Sequence, residues 1–227
     1  MTDSPPNNPS YHIVLLRHGE SEGNAQGYFQ GQTDYPLTAK GQAQAQALLA
    51  RWLDEGTTFD RIISSPLQRA RQTAEIIAAG LDVPLETDAL WLEIDNGRLA
   101  GLKQAEAQER YPRPAFIHPY QPIGETGESL WQLYLRAGQA IDSLLRRTPG
   151  RYLVVSHGGI LNRTLYAILG ISPQANFQGP HFRFQNAAFA RLSYNPARHE
   201  WTVEAINDRA HWSTPQGSSL TDELDRV

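Results

Sequence analysis

Two histidines in this 227-residue chain occupy matching positions and could act together in one site. His18 follows Arg17 at the end of the apolar run at residues 11–16, and His157 lies close behind the apolar run at residues 152–155. A glycine comes directly after each histidine. In α/β proteins, ligands bind where buried strands leave the sheet and the chain turns. The pattern therefore predicts a single site built from two strand ends, with imidazole and guanidinium groups available to it.

Composition narrows the chemistry that such a site could perform. The chain has no cysteine, which excludes disulfides, thiolate nucleophiles and cysteine-based zinc or iron–sulfur centres. Of the 20 basic residues only Lys40 and Lys103 are lysines, so almost all the positive charge is guanidinium. Guanidinium suits bidentate recognition of phosphate or carboxylate, although the same bias could reflect genome composition. The net charge of −4 predicts no binding to nucleic acid or to an anionic membrane.

The two ends of the chain are predicted to lie outside the folded domain. Residues 1–9 are polar and rich in proline, which predicts a disordered leader, and they lack the basic and apolar regions of a secretory signal. Residues 213–227 are predicted to form a polar tail. No apolar run approaches the roughly 20 residues needed to cross a bilayer. We therefore expect a soluble, cytoplasmic protein.

Short apolar runs predict the strands that position the two histidines. Residues 11–16, 61–64 and 152–155 have the length and composition of buried strands. Residues 188–194 and 201–206 are predicted to form a final strand pair.

Amphipathic stretches between these runs predict the helices. Thr38, Ser65 and Ser129 have the chemistry of helix N-caps, with Pro66 as the first residue of the second helix, and another helix is predicted at residues 160–169. The predicted core face of the first helix comprises Leu48, Leu49, Trp52 and Leu53.

Strands that alternate with helices predict the fold class, a three-layer α/β/α sandwich with a mostly parallel central sheet. One domain is expected over residues 10–212. Within it, residues from about 104 to 126 are too rich in proline for a regular element. They are predicted to form a cap-like insertion over the active site.

Three motifs in chain order carry a resemblance to a known family. They read RHGE at residues 17–20, SSPLQRARQTA at residues 64–74 and SHGG at residues 156–159, each at a strand end or a helix start. Together they resemble the histidine phosphatase superfamily, the phosphoglycerate mutase-like enzymes, and its phosphatase branch in particular. The resemblance extends from residue 11 to about residue 207, nearly the whole predicted domain.

The resemblance implies that His18 is a nucleophile that forms a phosphohistidine intermediate. This chemistry needs a neutral imidazole with one nitrogen free to attack, while the other nitrogen donates a hydrogen bond that fixes the tautomer. A turn at Gly19 would place a backbone carbonyl within reach of that donor. Arg17 and Arg69 are implied to clamp the phosphoryl oxygens with parallel N–H donors.

The resemblance also implies three further phosphate contacts. His157 would be a second phosphate ligand, cationic when substrate is bound, and Asn24 a polar contact from the first loop. The glycine pair Gly158 and Gly159 would let the backbone come close to the ligand.

A phosphate ester also needs an acid that protonates the departing alkoxide. Glu93 matches the family's acid position, and a neighbouring phosphate dianion would keep its carboxyl protonated. Ala100 departs from the family pattern, because an acidic residue commonly precedes the second glycine of this stretch. Asp95 therefore stays a rival for the acid role.

Other residues of the sequence fit alternative roles. Two histidines and a carboxylate also fit a zinc site, but two arginines in the same pocket would repel a dication, so neither a metal nor another cofactor is expected. His12, His199 and His211 are predicted to lie at the surface, whereas His181 and Arg183 are left open as substrate contacts. Loop aromatic residues could form the walls for an apolar leaving group: Tyr28, Phe29, Tyr111, Phe116 and Tyr120.

Three functions remain open at this stage. The first is a metal-independent phosphomonoester hydrolase that acts on a small phosphorylated metabolite. The second is a cofactor-dependent phosphoglycerate mutase, which resembles this chain at the core motifs but carries a longer and more basic insertion. The third is a protein that binds a phosphorylated ligand without turnover. The sequence also leaves open a homodimer formed through an edge strand.

Overall fold

A six-stranded sheet forms the centre of the protein. The computed structural model describes residues 10–212, so the predicted leader at 1–9 and tail at 213–227 lie outside the described residues. The strands are β1 Tyr11–Arg17, β2 Arg61–Ser64, β3 Leu85–Thr87, β4 Arg151–Ser156, β5 Phe189–Asn195 and β6 Glu200–Asp208. Their order across the sheet is β3-β2-β4-β1-β5-β6, and β5 alone among these six runs opposite to its neighbours. The predicted mostly parallel sheet is confirmed.

Helices cover both faces of this sheet. They are α1 Glu22–Gln26, α2 Ala39–Asp54, α3 Gln68–Leu81, α4 Gln104–Arg110, α5 Leu130–Leu145 and α6 Gly158–Leu169. Alternate residues of β1 point to opposite faces: Ile13 and Leu15 pack in the core with α5 and α6, whereas Val14 and Leu16 pack in the core with α2 and α3. This confirms the three-layer α/β/α sandwich. Of the helices in residues 10–212, none is both long and apolar enough to cross a membrane.

The first long helix, α2, follows its predicted cap but not all of its predicted face. Thr38 accepts a hydrogen bond from the Gly41 amide at 3.0 Å, as an N-cap does. Leu48 and Trp52 are buried, but Leu53 is 56% exposed, so its place on the core face was predicted wrongly. Successive helical residues are about 100° apart around the axis, so the residue after Trp52 turns away from the core.

The predicted start of α3 at Ser65 and Pro66 is wrong, because the helix begins at Gln68 with Leu67 at the N-cap position. The Gln68 amide instead donates to Asp34 Oδ1 at 2.7 Å. A carboxylate from a distant loop thus satisfies a free N–H of the first turn, which a local cap would otherwise satisfy. Ser65 therefore does not cap this helix.

The insertion at residues 104–126 contains a regular element, contrary to the prediction. The helix α4 occupies Gln104–Arg110 and ends before the first proline of the segment, Pro112. Proline disfavours the helical conformation at the residue directly before it but not at residues several positions upstream. The stretch before Tyr111 could therefore form a helix. Farther along, Arg113 lines the cavity described below, a position that fits the predicted insertion over the site.

Candidate active site

The ends of β1 and β4 bring the two histidines together. These strands pair in parallel with Arg17 opposite Ser156, and the His18 amide donates to the Ser156 carbonyl at 2.9 Å. The imidazole rings of His18 and His157 consequently lie with their centroids 5.1 Å apart. Two segments separated by more than a hundred residues thus form one site at the carboxyl edge of the sheet.

The imidazole of His18 is held in one tautomer. Its Nδ1 lies 2.6 Å from the Gly19 carbonyl oxygen, which can only accept, so Nδ1 carries the proton and donates. Burial, followed by the charges of Arg69 and Arg17, lowers the pKa of His18 well below 6.5. The ring is therefore neutral, with an unprotonated Nε2 that can act as a nucleophile.

His157 is also neutral in this arrangement, through different partners. Its Nδ1 accepts from Arg69 Nε at 3.2 Å, and its Nε2 donates to Ser65 Oγ at 2.8 Å. Burial, then the positive charge of Arg69 and the neighbouring His18 ring, lowers the pKa of His157 well below 6.5. The cationic form expected with substrate would need a bound anion to offset these effects, and it stays a prediction.

Ser65 is a site residue that sequence reasoning assigned to a helix cap. Its hydroxyl fixes the His157 tautomer from a position 92 residues earlier in the chain, and it is fully buried. No local pattern distinguishes such a serine from a cap, since both follow a strand and precede a helix.

Two buried guanidinium groups lie beside the histidines. Arg69 donates through Nη1 to the Thr33 carbonyl at 2.8 Å and through Nη2 to the Gly31 carbonyl at 2.7 Å, in addition to its bond with His157. Burial lowers the pKa of Arg69 to about 10, so the group remains a cation at neutral pH. Arg17 donates through Nη1 to a carbonyl of the segment before β5 at 2.7 Å. Both arginines line the same cavity, where they can clamp an anion.

Replacing Arg69 by lysine is expected to lower kcat/KM for a phosphomonoester by about 10²-fold, because an ammonium cannot reproduce the fixed planar donors. Steady-state kinetics measures this. Arg71→Lys is the matched control, since Arg71 lies two residues later, on the opposite and exposed face of α3, and pairs with Glu75 at 3.4 Å. Equal losses in the two variants would contradict a phosphate-binding role for Arg69.

Asn24 is oriented by hydrogen bonds to its amide oxygen. The Ser21 amide donates to Asn24 Oδ1 at 3.2 Å in a capping box that starts α1, and Asn186 Nδ2 donates to the same oxygen at 3.1 Å. Since Oδ1 accepts, the Asn24 Nδ2 group is the one that can donate into the cavity that Asn24 lines. Asn186, which also donates to the His18 carbonyl at 3.2 Å, was not predicted from the sequence.

Glu93 lies at the N-terminus of α6. Its carboxylate oxygens accept from the amides of Gly159 at 3.0 Å and Ile160 at 3.1 Å, where free N–H groups and the helix dipole favour an anion. A Cβ at Gly159 would lie 2.5 Å from Glu93 Oε1, whereas one at Gly158 would meet only Arg17, at 3.7 Å. Residue 159 must therefore be glycine because the Glu93 carboxylate lies so close to it. At Gly158 the protein itself leaves room for a side chain, so only a ligand could require glycine there.

Asp95, the rival acid, is engaged elsewhere. Its Oδ1 accepts from the Gly97 amide at 2.9 Å, which stabilises a turn, and it is not among the described residues that line the cavity. Glu93 does line it, and Arg136 Nη2 holds the Glu93 carbonyl at 3.0 Å while pairing with Glu128 at 2.6 Å. The geometry therefore favours Glu93 over Asp95 as the acid.

The cavity extends beyond the histidines and has a volume of about 560 Å³. His181 and Arg183, which the sequence left open, both line it. Of the aromatic residues predicted as walls, Tyr28 and Phe29 do so. Three others do not line it, contrary to that prediction: Tyr111, Phe116 and Tyr120.

The remaining histidines differ in exposure. His12 and His199 are exposed, as predicted. His211 is not a simple surface residue, because its ring lies 6.4 Å from the Phe189 ring and both ring nitrogens are buried. Burial, with a contribution from Arg51, lowers the pKa of His211 to about 4. The chain after β6 folds back over the sheet, which a pattern of local residues does not reveal.

Acidification is expected to destabilise the fold through the two site histidines. Their pKa values lie below 6.5 in the folded protein, so below that pH the unfolded chain binds protons that the folded protein does not. Above pH 6.5 these two histidines have little effect on the free energy of unfolding. From pH 7 to pH 5 that free energy is expected to fall by up to about 2 kcal/mol per histidine. Urea unfolding at both pH values measures the loss. The free energy of unfolding of His18→Asn should fall less than that of the wild type, by the contribution of one histidine. An equal fall would contradict the lowered pKa of His18.

Comparisons with known proteins agree with this geometry. A family model for the histidine phosphatase superfamily (branch 1) matches residues 13–209. A relative from Yersinia enterocolitica, named probable phosphoglycerate mutase GpmB, is 35% identical over 222 residues, which cover 94% of this chain and 99% of that protein.

Solved structures show the same fold. A phosphoserine phosphatase from Entamoeba histolytica, in complex with 3-phosphoglyceric acid, is 25% identical with a TM-score of 0.73, over 88% of this chain and 98% of that one. A putative α-ribazole-5'-P phosphatase from Escherichia coli is 24% identical with a TM-score of 0.74, over 88% of this chain and 97% of that one.

Proposed function

Because this chain belongs to branch 1 of the histidine phosphatase superfamily, we propose that it hydrolyses small phosphomonoesters through a phosphohistidine at His18. The observation that carries the proposal is the fixed tautomer of His18. Its Nδ1 donates to the Gly19 carbonyl at 2.6 Å, and its Nε2 is left to attack phosphorus beside two buried guanidinium groups.

The proposed first step transfers the phosphoryl group to His18. The Nε2 lone pair forms a bond to phosphorus while the bond from phosphorus to the leaving oxygen breaks. Arg17, Arg69 and His157 stabilise the charge on the phosphoryl oxygens. Glu93, protonated when the phosphate dianion is bound beside it, gives its proton to the leaving oxygen, so that a neutral alcohol departs.

The proposed second step returns the enzyme to its starting state. Water attacks the phosphohistidine, and the Glu93 carboxylate accepts a proton from that water. The bond between phosphorus and His18 Nε2 breaks, which releases inorganic phosphate and the neutral imidazole. Neither a metal nor another cofactor takes part, so we expect activity to survive treatment with EDTA.

A phosphoglycerate mutase is the second candidate, favoured by the name of the 35% identical relative. A mutase would return the phosphoryl group to a second hydroxyl of the substrate and exclude water. Supplying 3-phosphoglycerate primed with 2,3-bisphosphoglycerate separates the two functions. Release of inorganic phosphate supports the hydrolase, whereas formation of 2-phosphoglycerate without phosphate release would overturn it. A protein that only binds its ligand would do neither.

The setting of this activity is part of the same proposal. We expect a cytoplasmic enzyme that acts on small molecules, without nucleic acid or membrane as a partner. The exposed outer strand β6 leaves a homodimer open.

A further inference from the structure

The cavity beside the histidines carries more positive charge than one phosphate group requires. Glu93 is the one carboxylate among the described residues that line it. Five arginines line the same space: Arg17, Arg69, Arg113, Arg163 and Arg183. The first two lie at the histidines, whereas the other three line a different part of the cavity.

Arg163 is the arginine whose surroundings point to a ligand most directly. It is 9% exposed, and no carboxylate of residues 10–212 is among the groups that shift its pKa. Its Nε is buried and has no hydrogen-bond partner in the described part of the chain. Burial lowers the pKa of Arg163. A buried cation without an anion is costly, and such groups persist where a function needs them.

Neutral neighbours hold Arg163 in place. Its Nη1 donates to Asn162 Oδ1 at 2.7 Å, and its guanidinium carbon lies 4.5 Å from the centre of the Tyr166 ring. Asn162 is itself oriented, because its Nδ2 donates to the Phe182 carbonyl at 2.9 Å. These contacts position the guanidinium without neutralising its charge.

The position of Arg163 on α6 relates it to the reaction. It lies four residues after Gly159, whose amide binds the Glu93 carboxylate. Residues four apart share one face of a helix, about 6 Å apart along the axis. Arg163 therefore lies about one turn after the acid's helix contact, and it lines the same cavity as Glu93 and His18.

We propose that Arg163 binds a second anionic group, carried by the leaving alcohol of the substrate. The preferred substrates are then small phosphomonoesters that bear a carboxylate or a further phosphate. This inference rests on the proposed function and specifies the substrate class of the same site. Both anions share the bidentate geometry that a guanidinium recognises.

Matched substrates and variants test this inference. The substrates are 3-phosphoglycerate, propane-1,3-diol bisphosphate and glycerol 3-phosphate, of which the last has no second anionic group. The wild type is expected to prefer one of the first two over glycerol 3-phosphate by about 10- to 100-fold in kcat/KM. Whichever is preferred identifies the anion as carboxylate or phosphate. Arg163→Gln is expected to remove that preference and to change kcat/KM for glycerol 3-phosphate by less than about 3-fold.

Two controls separate recognition from folding and from net charge. Arg163→Lys keeps the cation and should restore part of the preference. Arg146→Gln removes the same charge from the exposed end of α5, where Arg146 pairs with Asp142, and should leave the preference intact. Because Arg163 has no carboxylate partner among residues 10–212, the melting temperature of Arg163→Gln is expected to equal or exceed that of the wild type.

Each result has a distinct meaning. Equal losses for all three substrates, or a fall in melting temperature that accounts for the lost activity, would show a structural role and overturn the inference. Absence of any preference in the wild type would overturn it as well. Failure of the wild type to hydrolyse even p-nitrophenyl phosphate would overturn the proposed function itself, and the inference with it.

Discussion

The variant His18→Asn is expected to lose at least about 10⁴-fold in kcat, because the atom that bonds to phosphorus is removed. Asparagine is the sharpest replacement. Its side-chain Nδ2 can still donate to the Gly19 carbonyl, which His18 Nδ1 contacts at 2.6 Å, so the turn is preserved. Hydrolysis of p-nitrophenyl phosphate, followed by absorbance, measures the loss.

Binding should survive in this variant, because the two guanidinium groups remain. The dissociation constant for inorganic phosphate, measured by calorimetry, is expected to stay within about tenfold of the wild-type value. Loss of turnover with retained binding is the signature of a missing nucleophile. Activity within tenfold of the wild type would contradict the role of His18.

The variant Glu93→Gln is expected to lose about 10³-fold in kcat for an alkyl phosphate such as glycerol 3-phosphate. Its amide can occupy the same place at the N-terminus of α6, since it keeps an oxygen for the Gly159 or Ile160 amide. It cannot supply a proton to an alkoxide. The loss should be much smaller for p-nitrophenyl phosphate, because p-nitrophenolate leaves without protonation.

This dependence on the leaving group distinguishes an acid from a structural residue. Asp95→Asn is the matched control, because Asp95 was the rival for the role and caps a turn through the Gly97 amide. We expect Asp95→Asn to affect both substrates equally and by less than about tenfold. A loss in this variant that is selective for the alkyl phosphate would transfer the role to Asp95.

Local patterns predicted the elements that bury apolar side chains on a regular period. The strands β1, β2 and β4 were found because their apolar runs are buried on both faces of the sheet. The strand β3 was missed because it is only three residues long and none of them is buried. The helix α1 was also missed, although Ser21 and Asn24 form its capping box and give a signal at the correct spacing.

Contacts between distant segments explain what the sequence could not show. Ser65 was assigned to a helix cap, but its hydroxyl contacts His157, and Asp34 satisfies the helix instead. The contact between Glu93 and Gly159 joins residues 66 positions apart. Contacts between residues so far apart in the chain produce no periodic pattern in the sequence. The motif resemblance nevertheless placed His18, Arg17, Arg69 and His157 in one predicted site. The structure agrees, because the ends of β1, β2 and β4, at or after which these residues lie, meet at one edge of the sheet.

The central claim is that the phosphoryl group passes through His18, and rapid-quench labelling tests it most directly. Enzyme is mixed with a phosphomonoester that carries ³²P, quenched in alkali within milliseconds, and digested so that labelled peptides can be identified. We predict a label that is stable in alkali, labile in acid, located on the peptide containing His18 and missing from His18→Asn. Turnover by the wild type with no label on that peptide at any time would contradict this mechanism.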